Sequence, residues 1–428
     1  MEVLRPGDLG YDGARATWNA CIDRRPSAII RPRSTEDVRR ALASNNDPVT
    51  VRVGGHHVTG ACARDGAVML DLRRLSRVRV ADGGAIVEGG TLWNRVTIAA
   101  EQHNLAGVAG TVGSVGVVGL TLGGGLGWLT RRYGLACDSV TAIELVTADG
   151  SLLRVTSDSD PELWWGLRGA GTNFGVITRL ELGLHAVRQV YAGTAVFPLD
   201  RLADVLDALR DLDRADEELT TMLLVIPGAE LGLAERHVAT LNACWCGDLR
   251  AGRVACRKLV DPLGEPLLDT FRELPFSELV SAFADSRLAR PGYRNDWEAF
   301  TLPDLSAAST IVEVCREIPS ELSYLQLMPL GGAVGRSHSA VGYRASRFLG
   351  QISAVWDRER DDEICRRWTR DFQAVLEPSQ PACPNHVSRE DEARVSAVYG
   401  EAGYVRLVEL KRRLDPDRRF LPALAVGS

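Results

Sequence analysis

The chain is predicted to be an α+β protein. A glycine-rich first domain is followed by an inserted antiparallel sheet with helices on it, and the C-terminus returns to the first domain. Three observations predict this. Two glycine-dense stretches, residues 51–60 and 110–127, fall within the first third of the chain. Around residue 188 the glycine density falls and strand-like alternation takes over. With 428 residues the chain is too long for one small core, so two domains are the prior. The expected division is 1–188, 189–380 and 381–428.

Taken in order, residues 34–43 open with Ser34 as a cap and with Glu36 and Asp37 in the first turn, then run on as a helix. Residues 48–53 read as a strand and 67–72 as another, with only loop between them. A dinucleotide fold of the Rossmann kind needs a helix directly after its glycine loop. Here Gly54-Gly55 leads into loop, and no Gly-x-Gly-x-x-Gly opens a helix after a strand. Residues 91–104 have helical spacing. The segments 138–147 and 151–156 flank Ala148-Asp149-Gly150, a hairpin signal.

Beyond residue 188, 190–197 alternates and 198–212 reads as an amphipathic helix. Strands follow at 219–226 and 237–246, and 253–260 and the segment after Pro266 read as helical. Residues 286–305 are polar, aromatic and proline-marked, and are expected as a loop over a pocket mouth. Strands at 323–328 and 349–356 surround Gly331-Gly332, and the last helices stop at Leu414-Asp415-Pro416.

A formal charge of −6 gives no electrostatic reason to expect nucleic acid or an anionic membrane. Lys258 and Lys411 are the only lysines, and the arginines form no cluster, which reflects a GC-rich coding genome. Residues 1–8 lack the regions of a signal peptide. Residues 102–130 carry no charge, but hold too much glycine for a bilayer helix. Nine scattered cysteines without a Cys-x-x-Cys point to reduced thiols in a cytoplasmic protein. Cys244-Trp245-Cys246 is read as an edge-strand coincidence rather than a ligand pair, and no metal site is expected.

The glycine runs suggest a specific ligand. A pyrophosphate needs converging backbone N–H groups, and successive glycines adopt the conformations that build such a nest. A flavin ring needs a flat wall free of side chains, which Gly116, Gly119 and Gly123 to Gly125 offer. His56, at the tip of the first loop, presents a nucleophilic nitrogen to such a ligand. Together these features suggest a covalently held flavin and a redox enzyme.

Residues 1–188 and 383–421 resemble the flavin-dependent oxidases related to the berberine bridge enzyme. The resemblance rests on Arg52-x-Gly54-Gly55-His56, on the run from Val115 to Leu129, and on Tyr133-Gly134-Leu135 with Asp138. Ala148-Asp149-Gly150 and the stretch from Leu163 to Val176 extend it, with Trp18-Asn19, Arg25-Pro26, Tyr399-Gly400, Leu410-Lys411 and Asp415-Pro416 at the two ends. It implies the vanillyl-alcohol-oxidase-like fold, with a PCMH-type FAD-binding domain of two α/β subdomains and an inserted substrate domain. The middle, about 189–380, matches only through Gly247-Asp248, Gly331-Gly332 and Trp356.

The resemblance also implies site residues. His56 matches the histidine bonded to the 8α-methyl of FAD, a bond that raises the flavin's potential and fixes its ring. Val53, Gly54, Gly55, His57 and Gly60 match cofactor-contacting positions of the first loop, with His57 expected in a structural or pocket-wall role. Thr111, Val112, Gly113, Ser114, Val115, Gly116, Val117, Gly119, Leu120, Gly123, Gly124 and Leu126 match those of the second. Asp138, Gly175, Val176, Ile177 and Asn385 complete the set. Many members add a cysteinyl bond, but the matching residue here is Val112, so a single link is expected, and Cys62 and Cys137 are read as packing thiols. Val115 falls where the family guards the flavin's oxygen-reactive carbon, in a form that resembles members reoxidised by O2.

The departure lies in Cys383-Pro384-Asn385-His386, where family members commonly show Tyr-x-Asn, the tyrosine acting as base. A thiol with an ordinary pKa of ~8.5 accepts a proton only if a neighbouring cation lowers it. Cys383, His386 and Tyr343 are the named candidate bases, with a residue of the middle domain as the remaining alternative. A further departure is the ending Phe420-Leu421-Pro422, which lacks the polar tail usual there. Tyr293, Arg294, Trp297, Tyr324, Gln326 and Arg344 are candidate lining residues of the middle domain.

The leading reading is an FAD-linked oxidase that takes hydride from a small molecule, such as a secondary metabolite or sugar, and passes electrons to O2. Loss of the tyrosine leaves a second reading open, a redox-neutral cyclase or rearrangement enzyme with FAD as scaffold. A cofactor-free binding protein is the third. No phosphate-loop Gly-Lys, His-Glu-x-x-His or Gly-x-Ser-x-Gly is present. Substrate and oligomeric state are not fixed by the sequence.

Overall fold

A computed structural model describes residues 1–282, 292–376, 383–388 and 392–427. Among the described residues the strands form three sheets. The first contains Glu2–Leu4 (β1), Ala28–Arg31 (β2), Val49–Arg52 (β3) and Val68–Asp71 (β4) in the order β1-β2-β4-β3. β2, β4 and β3 run parallel, and the helix Thr35–Ala43 makes the crossover from β2 to β3. That helix starts where Ser34 Oγ accepts from Asp37 N at 3.1 Å, and it buries Val38, Ala41 and Leu42.

The second sheet joins Val78–Ala81 (β5), Gly84–Glu88 (β6), Val140–Val146 (β7), Leu152–Val155 (β8) and Val176–Gly183 (β9) in the antiparallel order β5-β6-β9-β7-β8. The helix Trp93–Glu101 and the second glycine run lie between β6 and β7. That run is not wholly loop, because Val117–Leu122 forms a short helix inside it.

The third sheet has eight antiparallel strands. They are Gln189–Pro198 (β10), Leu219–Pro227 (β11), His237–Trp245 (β12), Leu268–Asp269 (β13), Arg272–Pro275 (β14), Arg294–Leu302 (β15), Tyr324–Pro329 (β16) and Phe348–Trp356 (β17). The order is β13-β10-β12-β11-β16-β17-β15, with β14 also on β10. Alternation sorts its two faces. Leu223, Val225, Leu325, Leu327, Phe300 and Ile352 pack under the helices Leu202–Leu209, Ala308–Arg316 and Asp362–Leu376. Met222, Leu224, Ile226 and Met328 turn toward the core of the second sheet.

Three expectations are corrected. Residues 294–302 of the segment expected as a loop are strand β15, paired with β17 from Arg294↔Trp356 to Leu302↔Phe348; residues 286–291 lie outside the described residues. After Pro266 come the strands β13 and β14 before the helix Phe276–Ser281 begins. Cys244 and Trp245 belong to β12, an inner strand between β10 and β11 rather than an edge.

The C-terminal segment closes on the first sheet. Val49 N donates to Arg419 O at 2.6 Å and Leu421 N to Val49 O at 2.9 Å. Arg131, 1% exposed, donates to the carbonyls of Leu212, Ala215 and Leu330, so one buried guanidinium ties the glycine-rich region to the large sheet. All nine cysteines are unpaired. Among the described residues no helix is long and apolar enough to cross a membrane.

Candidate active site

Between the glycine loops and the β15–β17 face lies a cleft of about 2080 Å³ including its mouth. The loop after β3 contributes Val53, Gly54, Gly55, His56 and His57 to its wall. The second glycine run contributes Thr111, Val112, Val115, Gly116, Gly119, Leu120, Gly123 and Leu126, and the entry to β9 adds Gly175 and Ile177. Trp297, Tyr324, Gln326, Met328 and Gln351 face them from the large sheet, with Cys383, Asn385 and His386 to one side.

The two glycine loops meet backbone to backbone. A Cβ on Gly54 would lie 3.1 Å from both Gly116 N and Ser114 O, and one on Gly116 would lie 2.8 Å from Val53. Gly55 sits at φ +69°, where a side chain is strained. A Cβ on Gly119 would meet nothing within 4 Å, so this glycine opens directly onto the cleft. The amides of Gly54, Gly55 and His56 donate to no group among the described residues. Free amides beside a bare glycine wall fit a pyrophosphate and a flat ring. Gly119→Leu is expected to leave the fold intact, since the side chain enters open space, while retained flavin falls at least tenfold. Unfolding curves beside absorbance ratios check this.

His56 is part of the cleft wall. Its Nε2 is 3.2 Å from Ser114 Oγ, and its ring stacks on Trp18 at a centroid distance of 5.7 Å. Burial pulls its pKa down to about 4, so at neutral pH the imidazole is uncharged and keeps a lone pair. His57 Nδ1 lies 3.0 Å from Thr59 Oγ1, which fixes that ring in the wall.

The C-terminal side sorts the candidate bases. Burial pushes the Cys383 thiol up to about 11, and its Sγ donates to Tyr343 Oη at 3.7 Å. Tyr343 is fully buried outside the cleft lining, and burial drives its pKa well upward. Both groups therefore hold their protons at neutral pH. His386 is different: burial and nearby His57 pull it down to about 4, and its Nδ1 has no hydrogen-bond partner among the described residues. Asn385 Nδ2 donates to Leu120 O at 2.9 Å, and its side chain fills the space that a Cβ on Gly123 would need.

Other expected positions stand behind the cleft. Ser114 reaches it through His56; Gly113 O accepts from Asn94 N at 2.8 Å; Gly60 N donates to His57 O at 2.9 Å in a turn. Val117 and Val176 are fully buried in apolar cores, and Gly124 packs under the Tyr343 hydroxyl. Asp138 is held by Arg344 at 2.6 Å and by Leu135 N at 2.9 Å, so it supports the glycine run instead of lining the cleft. Among the candidate lining residues, Trp297, Tyr324 and Gln326 face the cleft. Arg344 is the partner of Asp138, Arg294 pairs with Asp362 at 2.7 Å, and Tyr293 is not in the lining. Cys62, read as a packing thiol, borders the cleft, whereas Cys137 is buried outside it. Met328, Gln351, Asn173 and Tyr399 also line it. For Met328 the signal was available, because it continues the alternation of Tyr324 and Gln326.

Residues 26–156 match the FAD binding domain family. The chain is 30% identical over 445 residues to the (R)-6-hydroxynicotine oxidase of Paenarthrobacter nicotinovorans, covering 98% of this chain and 95% of that one. An FAD-linked oxidoreductase of Dictyostelium discoideum is 25% identical over 97% of this chain and 92% of its own. Among solved structures, 6-hydroxy-D-nicotine oxidase from Arthrobacter nicotinovorans superposes with a TM-score of 0.88 at 28% identity, covering 98% and 96% of the two chains. Glucooligosaccharide oxidase from Acremonium strictum, described with a 6-S-cysteinyl, 8α-N1-histidyl FAD, shares the fold with a TM-score of 0.87 at 22% identity over 99% and 96%. The near-complete match to an FAD-linked oxidase agrees with the bare glycine wall and its free amides, and the chain belongs to the berberine bridge enzyme-like family of FAD-linked oxidases.

Proposed function

We propose that this oxidase carries its FAD on a single covalent bond to His56 and removes hydride from a small organic substrate held against the β15–β17 face. The observation that carries the reading is the uncharged His56 imidazole in the cleft wall, with Val112 where a second, cysteinyl link would stand. When bound, FAD supplies the hydride acceptor, and O2 regenerates it with release of hydrogen peroxide. The amides of Gly54, Gly55 and His56 suit the pyrophosphate, Gly119 leaves the ring its space, and Asn385 steadies the wall through Leu120.

His386 is the proposed proton acceptor. Its ring is neutral at pH 7 and its Nδ1 has no partner among the described residues, whereas Cys383 and Tyr343 stay protonated. A division at 1–188, 189–380 and 381–428 and a cytoplasmic location complete the proposal. Relatives named for 6-hydroxynicotine and for glucooligosaccharides differ widely in substrate, so none is carried over.

The purified yellow protein, photoreduced under argon and then opened to air, tests the oxidase reading. Colour is expected to return with one hydrogen peroxide per flavin. A bleached state stable for minutes in air would remove O2 as the acceptor and leave the redox-neutral reading in its place.

A further inference from the structure

The cleft face opposite the glycine wall holds polar groups that find no partner among the described residues. Gln326 Nε2 meets only the Met328 sulfur, at 3.5 Å, and its carbonyl oxygen has no partner among the described residues. Among the described residues the Trp297 indole N–H, on a side chain 92% buried, and His386 Nδ1 have no partner either. The rings of Trp297 and His386 meet edge to face at 6.1 Å, and Trp297 leans on Trp18 at 5.5 Å. β16 and β17 place Gln326 directly opposite Gln351, whose own amide is already turned to Ser353 Oγ at 2.7 Å. Gln326 is thus the carboxamide left free to serve a ligand.

All of these groups are neutral. The acids of β15 are already paired and neither lines the cleft: Asp296 accepts from Thr369, and Glu298 accepts from Ser388 and Arg394. A ligand carrying a full charge would lose its hydration here and find dipoles only, a large penalty. A flat, uncharged ring with a donor and an acceptor would meet aromatic faces and three unsatisfied polar atoms.

We propose that this cleft takes its substrate as an uncharged, planar, hydrogen-bonding ring, and that Gln326 is the residue that selects and orients it. The proposal rests on the oxidase reading of the same site, and it adds the class of molecule.

Three probes of one shape that the enzyme has no C–H to oxidise on the side chain serve as the test: 4-hydroxybenzamide, 4-hydroxybenzoate and 4-hydroxybenzamidinium. Calorimetric titration of the purified protein at pH 7 is expected to show the amide binding at least tenfold more tightly than either ion. Gln326→Leu is expected to weaken the amide about tenfold, the loss of a hydrogen-bonding group in a buried site. Gln326→Glu is expected to reverse the order in favour of the amidinium. Equal or tighter binding of an ion to the wild type, no binding of the amide, or no change in Gln326→Leu would overturn the proposal. Calorimetry needs no flavin, so failure here is distinct from failure of the oxidase reading, which colourless protein or an air-stable bleached state would reveal.

Discussion

Acid-precipitated His56→Ala protein is expected to give a white pellet and a yellow supernatant, while the wild-type pellet stays yellow. The contrast should be close to complete, because a covalent link survives denaturation and a set of hydrogen bonds does not. The physical requirement is an imidazole nitrogen with a free lone pair, and an imidazolium has none. Burial meets that requirement by holding His56 near pKa 4, far below its usual range, so that at neutral pH nearly every molecule is in the nucleophilic form. Ser114, 3.2 Å from Nε2, and Trp18, stacked on the ring, hold the imidazole in one orientation. Ser114→Ala is therefore expected to slow attachment without abolishing it. Colour lost from the wild-type pellet would leave FAD bound without a covalent link and remove the role given to His56.

Much of this site was legible because local chemistry dictates it. The glycines at 54, 55, 116 and 119 mark backbone where a side chain would clash or be strained, or that opens on the cleft, and this shows as composition. The hairpin at Ala148-Asp149-Gly150 and the alternation of β16 are also local signals. What stayed hidden depends on distant partners. β15 reads as a polar loop because Arg294, Asp296 and Glu298 alternate along it, yet each is satisfied from afar, by Asp362, Thr369, and Ser388 with Arg394. Asp138 looked like a flavin contact beside the glycine run; its partner Arg344 is 206 residues away. Cys383 looked like a displaced catalytic group. Nothing near it in sequence announces that burial would raise its pKa to about 11.

Asp415→Asn is expected to cost about 3–5 kcal/mol of stability, the range for breaking a buried ion pair from one side. Lys411 and Asp415 are 3% and 0% exposed, and their charged atoms meet at 2.7 Å. The pair is also a hydrogen-bonding hub. Lys411 Nζ donates to Asn173 O at 2.9 Å and Phe420 O at 3.2 Å, while Asp415 accepts from Arg419 N at 2.8 Å and Phe420 N at 3.0 Å. Asn173 in turn donates to Leu424 O at 3.0 Å and accepts from Val426 N at 3.0 Å. Thus one buried pair fixes the C-terminal strap whose residues 420–424 line the cleft. A buried pair replaced on both sides by apolar residues is often neutral. Here Lys411→Met with Asp415→Leu should recover only part of the loss, because the backbone groups served by the pair stay unsatisfied. Urea midpoints for Asp415→Asn and for the double variant, read beside flavin retention, decide it. Full recovery in the double would reduce the pair to a replaceable packing element, whereas partial recovery with flavin lost makes it the clamp that holds the strap on the cofactor cleft.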